Sequence, residues 1–282
     1  MNRPEDILDD EEASEEKGRT HRLAFEDLDF LRSDEMRPLR LALEFSKADL
    51  ALQKQGIAST VVVFGSHRVL SPEQAEEALK AAQDEASRKR AEHKKRMSVW
   101  YEEARHFALI VSERGGALAI EGDRHNVIAT GAGPGIMEAA NRGAAEAGAP
   151  TIGFNIALPE PQEPNRFITP ELTFRFRYFG IRKMHFAMRA NALAVFPGGF
   201  GTLDELFEIL TLRQSHKYPP MMPVILFCRD YWRSIVNFEA LAEFDMIGSE
   251  DAKLFEFVDS AEEAWEVMLA HGVLDRAPLP EV

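Results

Sequence analysis

The chain of 282 residues is 45% hydrophobic and 28% charged, a composition typical of a globular protein with a sizeable core. Its formal net charge of −14 argues against a nucleic-acid partner, because a phosphate backbone would be repelled. The sequence has no apolar run of membrane-spanning length, no secretory signal and only one cysteine, so we expect a cytoplasmic protein with no membrane partner.

Changes in composition predict an acidic tail, an accessory helix, a main domain and a C-terminal tail, at 1–35, 36–58, 59–272 and 273–282. The first twenty residues hold eight acidic side chains against three basic ones, so we expect the acidic tail to be disordered. The accessory helix is predicted from apolar residues at helical spacing between Arg37 and Gln55.

The main domain alternates short apolar runs with amphipathic segments. The predicted strands are 60–64, 117–120, 127–130, 151–156, 192–196 and 223–228. The predicted helices are one that begins at Ser71-Pro72 and those at 136–147, 182–191, 203–214 and 261–270. This alternation predicts an α/β fold, a doubly wound, mostly parallel, Rossmann-like sheet with flanking helices, which binds ligands at the carboxyl ends of its strands.

The stretch 73–114 has a helical composition but is too long for one ordinary globular helix. Its middle is dense in charge and contains two basic triplets, 88–90 and 94–96. A basic patch for an anionic polymer is one interpretation. The sequence favours a solvated helical excursion or an oligomer contact instead.

Two glycine-rich loops each connect a predicted strand to a predicted helix. The first begins at Gly131 and contains Gly133 and Gly135, and the second is Pro-Gly-Gly-Phe-Gly-Thr-Leu-Asp-Glu at 197–205. A helix start after a glycine-rich turn leaves backbone N–H groups unpaired and aimed at one spot, which favours a phosphate. If the two loops flank a switch point of the sheet, they can converge on one ligand.

Each loop is followed by a carboxylate that has two interpretations. Glu205 could complete a capping box with Thr202 as N-cap, or it could act on a ligand beside the anion site. Glu138 could complement the helix dipole, or it could contact a ligand hydroxyl group. Both alternatives stay open at this point.

Motifs for the common cofactors are incomplete. Gly131-x-Gly133 begins a dinucleotide fingerprint, but Ile136 stands where the last glycine belongs, and no phosphate-binding loop ending in Gly-Lys-Ser/Thr occurs. No cluster of histidine, cysteine and carboxylate residues has the spacing of metal ligands. We therefore predict neither a cofactor nor a metal ion.

Arginines precede the second glycine loop. Aromatic and basic residues alternate along 174–179, which places Arg175 and Arg177 on one face of an extended segment. Arg182 follows at the start of a predicted helix. Because guanidinium groups bind phosphate or carboxylate in a bidentate manner, we expect these three arginines near the anion-binding loops.

With these motifs in order, the chain resembles the LOG ("Lonely guy") family, long misnamed as lysine decarboxylases. The family pattern Pro-Gly-Gly-x-Gly-Thr-x-x-Glu is met in full at 197–205, and an upstream Arg-Lys pair is matched at 182–183. The segment 131–143 looks like the family's first nucleotide loop, and 64–68 matches its opening strand end, where Ala often stands in place of His67. The resemblance covers about residues 60–269. The acidic tail, the accessory helix and the charged stretch depart from it.

The resemblance implies that the main domain, 59–272, is a nucleotide-binding catalytic domain. Its reaction would be hydrolysis of the N-glycosidic bond of a nucleoside 5′-monophosphate, AMP or a cytokinin riboside 5′-monophosphate, to free base and ribose 5-phosphate. A binding sensor with negligible turnover and a phosphate-dependent ribosyl transferase are alternatives. Pyridoxal chemistry is not implied, because Lys183 stands in no context that suggests a Schiff base.

The resemblance also implies roles for individual residues. The catalytic pair would be Arg182 and Glu205. The phosphate would contact Gly198, Gly199, Gly201 and Thr202, and the ribose or base side would contact Gly65, Ser66, Gly133, Gly135, Glu138 and Lys183. Relatives are commonly dimers or larger, so we expect a homo-oligomer.

Overall fold

The computed structural model describes residues 19–159, 163–215 and 222–274. The chain divides into two compact units, residues 1–47 and 48–282. Residues 1–18 of the predicted acidic tail and 275–282 of the predicted C-terminal tail lie outside the described residues. The described part of the predicted acidic tail, 19–35, contains one 3₁₀ turn and one short α-helix.

The helices are α1 (Leu28–Arg32), α2 (Arg37–Lys54), α3 (Pro72–Lys80), α4 (Glu85–Met97), α5 (Val99–Arg114), α6 (Ile136–Glu146), α7 (Phe179–Met188), α8 (Phe200–Gln214), α9 (Arg229–Ile235), α10 (Phe238–Glu243) and α11 (Ala261–Ala270). The strands are β1 (Thr60–Phe64), β2 (Val127–Thr130), β3 (Ile152–Ile156), β4 (Thr173–Phe176), β5 (Ala190–Val195), β6 (Val224–Phe227) and β7 (Glu256–Val258). Single 3₁₀ turns occur at Arg19–His21, Pro170–Leu172 and Asp251–Lys253. None of the described helices is both long enough and apolar enough to cross a bilayer.

The second unit contains a parallel sheet whose strand order is β4-β3-β2-β1-β5-β6-β7. Each neighbouring pair of these described strands runs parallel. Strands β2, β3 and β4 are added one after another on one side of β1, and β5, β6 and β7 are added on its other side. The predicted doubly wound α/β fold is therefore confirmed, and its switch point lies between β1 and β5.

β1 forms the centre of two hydrophobic layers, one on each face of the sheet. Val62 and Phe64 pack into the layer that includes Leu206, whereas Val61 and Val63 pack into the layer that includes Phe107. Strands covered on both faces read as continuous apolar runs, which explains why this strand was recognisable from sequence. The sheet therefore holds the ends of its central strands firmly.

The region between the first two strands differs from the prediction. The charged stretch 73–114 forms three helices, α3, α4 and α5, and the predicted strand at 117–120 is wrong. Gly116 and Gly122 have φ angles of 95° and 78°, and Ile120 is 95% exposed, so the segment turns instead of pairing. The prediction also missed β7, which has only three residues, and the short helices α9 and α10.

Candidate active site

A cavity of about 1270 Å³ opens at the carboxyl ends of the central strands. The loops after β1, β2 and β5 line it, together with the last residues of β3 and the first turns of α7 and α8. Because β1 and β5 lead into connections that leave on opposite sides, a crevice at this position follows from the strand order. The two glycine loops therefore converge on one cavity, as expected.

The second glycine loop starts a helix earlier than predicted. α8 begins at Phe200, and Gly199, which has no side chain to cap with, is its N-cap residue. The backbone N–H groups of Thr202 and Leu203 both donate to the Gly199 carbonyl oxygen, at 3.0 Å each. The predicted capping box is therefore wrong, because Thr202 lies inside the first turn and Glu205 lies in the second.

Close packing explains the first glycine of this loop. A Cβ atom on Gly198 would collide with the side chain of Thr202, whereas one on Gly199 would meet nothing within 4 Å. The Tyr231 hydroxyl group donates to the Gly198 carbonyl oxygen at 2.5 Å, which fixes the loop from the side of α9. Gly198, Gly199, Gly201 and Thr202 all line the cavity.

Arg182 and Glu205 lie side by side in the cavity wall. Their side chains are 13% and 8% exposed, and the Arg182 Nη1 to Glu205 Oε1 distance is 3.9 Å, a loose ion pair. The Arg182 Nε donates to the Phe154 carbonyl oxygen at 2.7 Å, and its guanidinium group lies 5.0 Å from the Phe186 ring centroid. The arginine is thus held by its own surroundings and leaves the carboxylate largely available.

Burial shifts the pKa values of both members of the pair. It raises the pKa of Glu205 to about 7, although the charges of Arg182 and Lys183 act in the opposite direction. Burial also lowers the pKa of Arg182, against the influence of Glu205 and Asp204. A carboxyl group that titrates near neutral pH in a cavity is typical of a catalytic acid or base.

Lys183 does not face the cavity. Its Nζ atom forms ion pairs with Asp204 Oδ2 and Glu208 Oε2, at 2.8 Å each. Burial acts to lower its pKa, but the hydrogen bonds to these carboxylates outweigh burial and raise the pKa. A Schiff-base lysine needs the opposite shift, so this lysine does not suit pyridoxal chemistry.

The first glycine loop is held by a buried polar network. The Thr130 hydroxyl group donates to Asn141 Oδ1 at 2.7 Å, and Asn165 Nδ2 donates to the Gly133 carbonyl oxygen at 3.0 Å. A Cβ atom on Gly131 would lie 2.7 Å from Arg182 Nη2. The missing side chain therefore makes room for the guanidinium group in the cavity wall.

The predicted ribose or base contacts separate into two groups. Gly65 and Ser66 line the cavity, whereas Gly133, Gly135 and Glu138 do not. Gly135, with φ of 72°, lies so close to the Ser66 carbonyl oxygen that a side chain would not fit. Glu138 accepts a hydrogen bond from the Tyr101 hydroxyl group at 2.9 Å, so its carboxylate serves helix packing.

Arg175 and Arg177 also lie outside the cavity lining. Both are exposed, while Phe174 and Phe176, which alternate with them, are buried, so the aromatic residues take the core face of the edge strand β4. Of the three arginines expected near the loops, only Arg182 lines the cavity.

Sequence reasoning missed several cavity residues. These are Arg68, Asn155 and Tyr231, together with a row on α4 formed by Lys89, Arg90, His93, Lys94 and Met97. The α4 residues share one helical face, a spacing that was visible in the sequence. Nothing in the sequence indicated which way that face would turn.

The fold and the cavity together define a doubly wound α/β protein with a glycine loop of the anion-binding type at its switch point. Residues 137–268 match the family described as "Possible lysine decarboxylase", the misnomer attached to the LOG family. This segment contains both the Arg182-Lys183 pair and the 197–205 motif, so the resemblance predicted from them is confirmed. No curated protein matches the chain.

Solved structures also match the chain. The molybdenum cofactor binding protein from the phototrophic bacterium Rippkaea orientalis is 20% identical, with a TM-score of 0.43 over 61% of this chain and 86% of that chain. The protein TM1055 is 17% identical, with a TM-score of 0.46 over 75% and 99%. The Moco carrier protein from Chlamydomonas reinhardtii is 21% identical, with a TM-score of 0.42 over 75% and 98%.

Proposed function

We propose that the protein hydrolyses the N-glycosidic bond of a nucleoside 5′-monophosphate and releases a free base and ribose 5-phosphate. The substrate would be AMP, a cytokinin riboside 5′-monophosphate, or both. The observation that carries the proposal is Glu205, a buried carboxylate that caps no helix and lies beside Arg182 in a cavity with an anion-binding loop.

The glycine loop would hold the 5′-phosphate. The first turn of α8 has backbone N–H groups that no side chain caps, and the helix dipole favours an anion there. Binding energy from the phosphate would fix the ribose against the catalytic pair, which lowers the entropy cost of reaching the transition state.

Glu205 would act on the ribose. Cleavage of the glycosidic bond passes through an oxocarbenium-like cation, which an ionised carboxylate in a low-dielectric wall stabilises. The same carboxylate would orient the attacking water and accept its proton as the new C–O bond forms. The base leaves with the electron pair of the broken C–N bond and takes up a proton from solvent, and Glu205 then returns its proton to solvent. Arg182 would hold Glu205 and the sugar hydroxyl groups in place.

The direct test is base release from AMP and prenylated AMP by the wild-type protein, Glu205→Gln and Glu208→Gln. Glu208 lies one turn further along α8 and outside the cavity lining, so its variant is a matched control. We expect Glu205→Gln to lose activity by at least about 100-fold and Glu208→Gln to retain it. Wild-type protein that binds AMP without releasing adenine would instead establish the alternative, a nucleotide-binding sensor.

We also propose a homodimer or larger homo-oligomer. Four large apolar side chains on α7 and α8 are exposed, Phe179, Met184, Phe200 and Phe207, with Phe200 at 92%. Adjacent exposed apolar residues mark association surfaces. Light scattering should show an oligomer that Met184→Glu dissociates, and a monomeric wild-type protein would refute this proposal.

A further inference from the structure

The cavity has a second wall that the reaction does not use. Helix α4 contributes Lys89, Arg90, His93 and Lys94 to the cavity lining, which also includes the glycine loop motif. These positions follow the i, i+1, i+4, i+5 pattern, so they occupy a single face of the helix. The charged stretch therefore forms part of the cavity instead of extending into solvent alone.

Packing fixes the orientation of α4. Ala91, which points away from Lys89 and His93, is 4% exposed and lies in the protein interior. Lys95 Nζ forms an ion pair with Glu76 Oε2 of α3 at 2.6 Å. Asp84 caps the helix N-terminus through the Ser87 N–H group at 2.7 Å. The basic face is thus directed at the cavity by contacts that do not involve its own charged residues.

Two of the three arginine and lysine side chains on this face, those of Arg90 and Lys94, form no ion pair with a described carboxylate. Lys89 pairs with Glu85 at 2.8 Å, but within the described ranges Arg90, Lys94 and Arg68 have no ion-pair partner. Among the described lining residues, five arginines and lysines face only two carboxylates, Asp204 and Glu205. In a chain with a net charge of −14, such a concentration of positive charge in a cavity attracts an anionic ligand.

The size of the cavity supports more than one anionic group. Its volume of about 1270 Å³ exceeds the 300–1,000 Å³ range typical of small-molecule sites. The glycine loop accounts for one phosphoryl group, and the α4 face is a separate cluster on another element.

We propose that the basic face of α4 binds a second phosphoryl group, so that the preferred ligand is a nucleotide with at least one phosphoryl group beyond the one at the glycine loop. This proposal rests on the proposed function for the nucleotide class of the ligand. The second group could extend the 5′-phosphate or esterify the 3′-hydroxyl group of the ribose, because both present the same oxygen acceptors to lysine and arginine.

Calorimetric binding to the Glu205→Gln protein tests the proposal without turnover. The ligands are AMP, ADP, ATP and adenosine 3′,5′-bisphosphate, and the test variant adds Arg90→Gln and Lys94→Gln. The control variant adds Arg88→Gln and Arg96→Gln, which remove the same charge from exposed positions of α4 outside the cavity lining. All four substitutions fall on exposed helical positions that accept glutamine well.

We expect at least one of the ligands with an additional phosphoryl group to bind about tenfold tighter than AMP, and the test variant alone to lose this preference. The affinities for ADP and ATP, compared with the affinity for adenosine 3′,5′-bisphosphate, show whether the second phosphoryl group extends the 5′-phosphate or is attached at the 3′-hydroxyl group. Equal affinity for AMP and all the other ligands, or equal losses in the test and control variants, would overturn the proposal. Absence of base release from the wild-type protein would refute only the proposed hydrolysis, because the binding preference is measured independently.

Discussion

The exchange of Glu205 for glutamine should make the protein more stable as well as inactive. Burial raises the pKa of this carboxyl group from an ordinary value of 4.5 to about 7. In the unfolded chain the group returns to its ordinary pKa, so between these two pH values the folded state retains a proton that the unfolded state has released. The free energy of unfolding of the wild-type protein therefore falls as pH rises from about 4.5 to about 7.

The size of this effect follows from the same two values. At about 1.4 kcal/mol per pH unit, the interval corresponds to about 3 kcal/mol that the wild-type protein loses by pH 8. Glutamine resembles the protonated carboxyl group in shape and charge, so the variant avoids the loss. The attraction between Arg182 and ionised Glu205 is already included in this free energy, because it contributes to the pKa of Glu205 from which the free energy is obtained.

Urea denaturation at pH 5 and pH 8 measures the difference. We expect Glu205→Gln and the wild-type protein to have similar stability at pH 5, and the variant to be about 3 kcal/mol more stable at pH 8. Glu208→Gln, at a position that is 36% exposed and paired with Lys183, should show no such gain. The reasoning is refuted if Glu205→Gln is no more stable than wild type at pH 8.

Three further outcomes follow from the site. For hydrolysis of AMP, kcat/KM should rise with pH through about 7, because ionised Glu205 is the active form, and a flat profile across this pH would contradict that role. Gly198→Ala should abolish nucleotide binding in a titration, since the new Cβ meets Thr202, whereas Gly180→Ala, on α7 outside the cavity lining, has free space and should bind normally. Tyr231→Phe removes the hydrogen bond to the Gly198 carbonyl oxygen and should cost about 1 kcal/mol in denaturant unfolding while raising KM; unchanged values would show that the loop holds itself.

Local patterns in the sequence predicted the sheet well and the start of α8 poorly. The buried run 60–64 can only be a strand covered on both faces, so its place was readable. Thr202 and Glu205 have the spacing of a capping box, but Gly199 frees its carbonyl oxygen for two backbone N–H groups and starts the helix earlier. The spacing of the side chains thus matched a capping box, but the backbone hydrogen bonds begin the helix three residues earlier, at Phe200.

The positions of side chains in the folded protein were less predictable than the positions of helices and strands along the chain. The spacing of Arg90 and Lys94 defines a face of α4, but its direction depends on the burial of Ala91 and on the ion pair of Lys95 with α3. Likewise, Arg175 and Arg182 were expected together, and only the pairing of β4 at the sheet edge separates them. Such tertiary contacts leave no local signal in the sequence.

The observed start of α8 at Phe200 sets the distance between the anion site and Glu205. The free N–H groups lie at Phe200 and Gly201 and the carboxylate at Glu205, so about 6 to 8 Å of helix axis separates the anion site from the catalytic group. In ribose 5-phosphate, five bonds join the phosphorus to the anomeric carbon, a path that can span this distance. A phosphate seated on the first turn would therefore place the glycosidic bond at the second, which a capping role for Glu205 would have prevented. Adenosine, which lacks the phosphate, should then lose kcat and not only affinity relative to AMP, because the anchor positions the ribose in the transition state. Equal kcat values for adenosine and AMP would show that the loop binds the phosphate without aligning the ribose for the reaction.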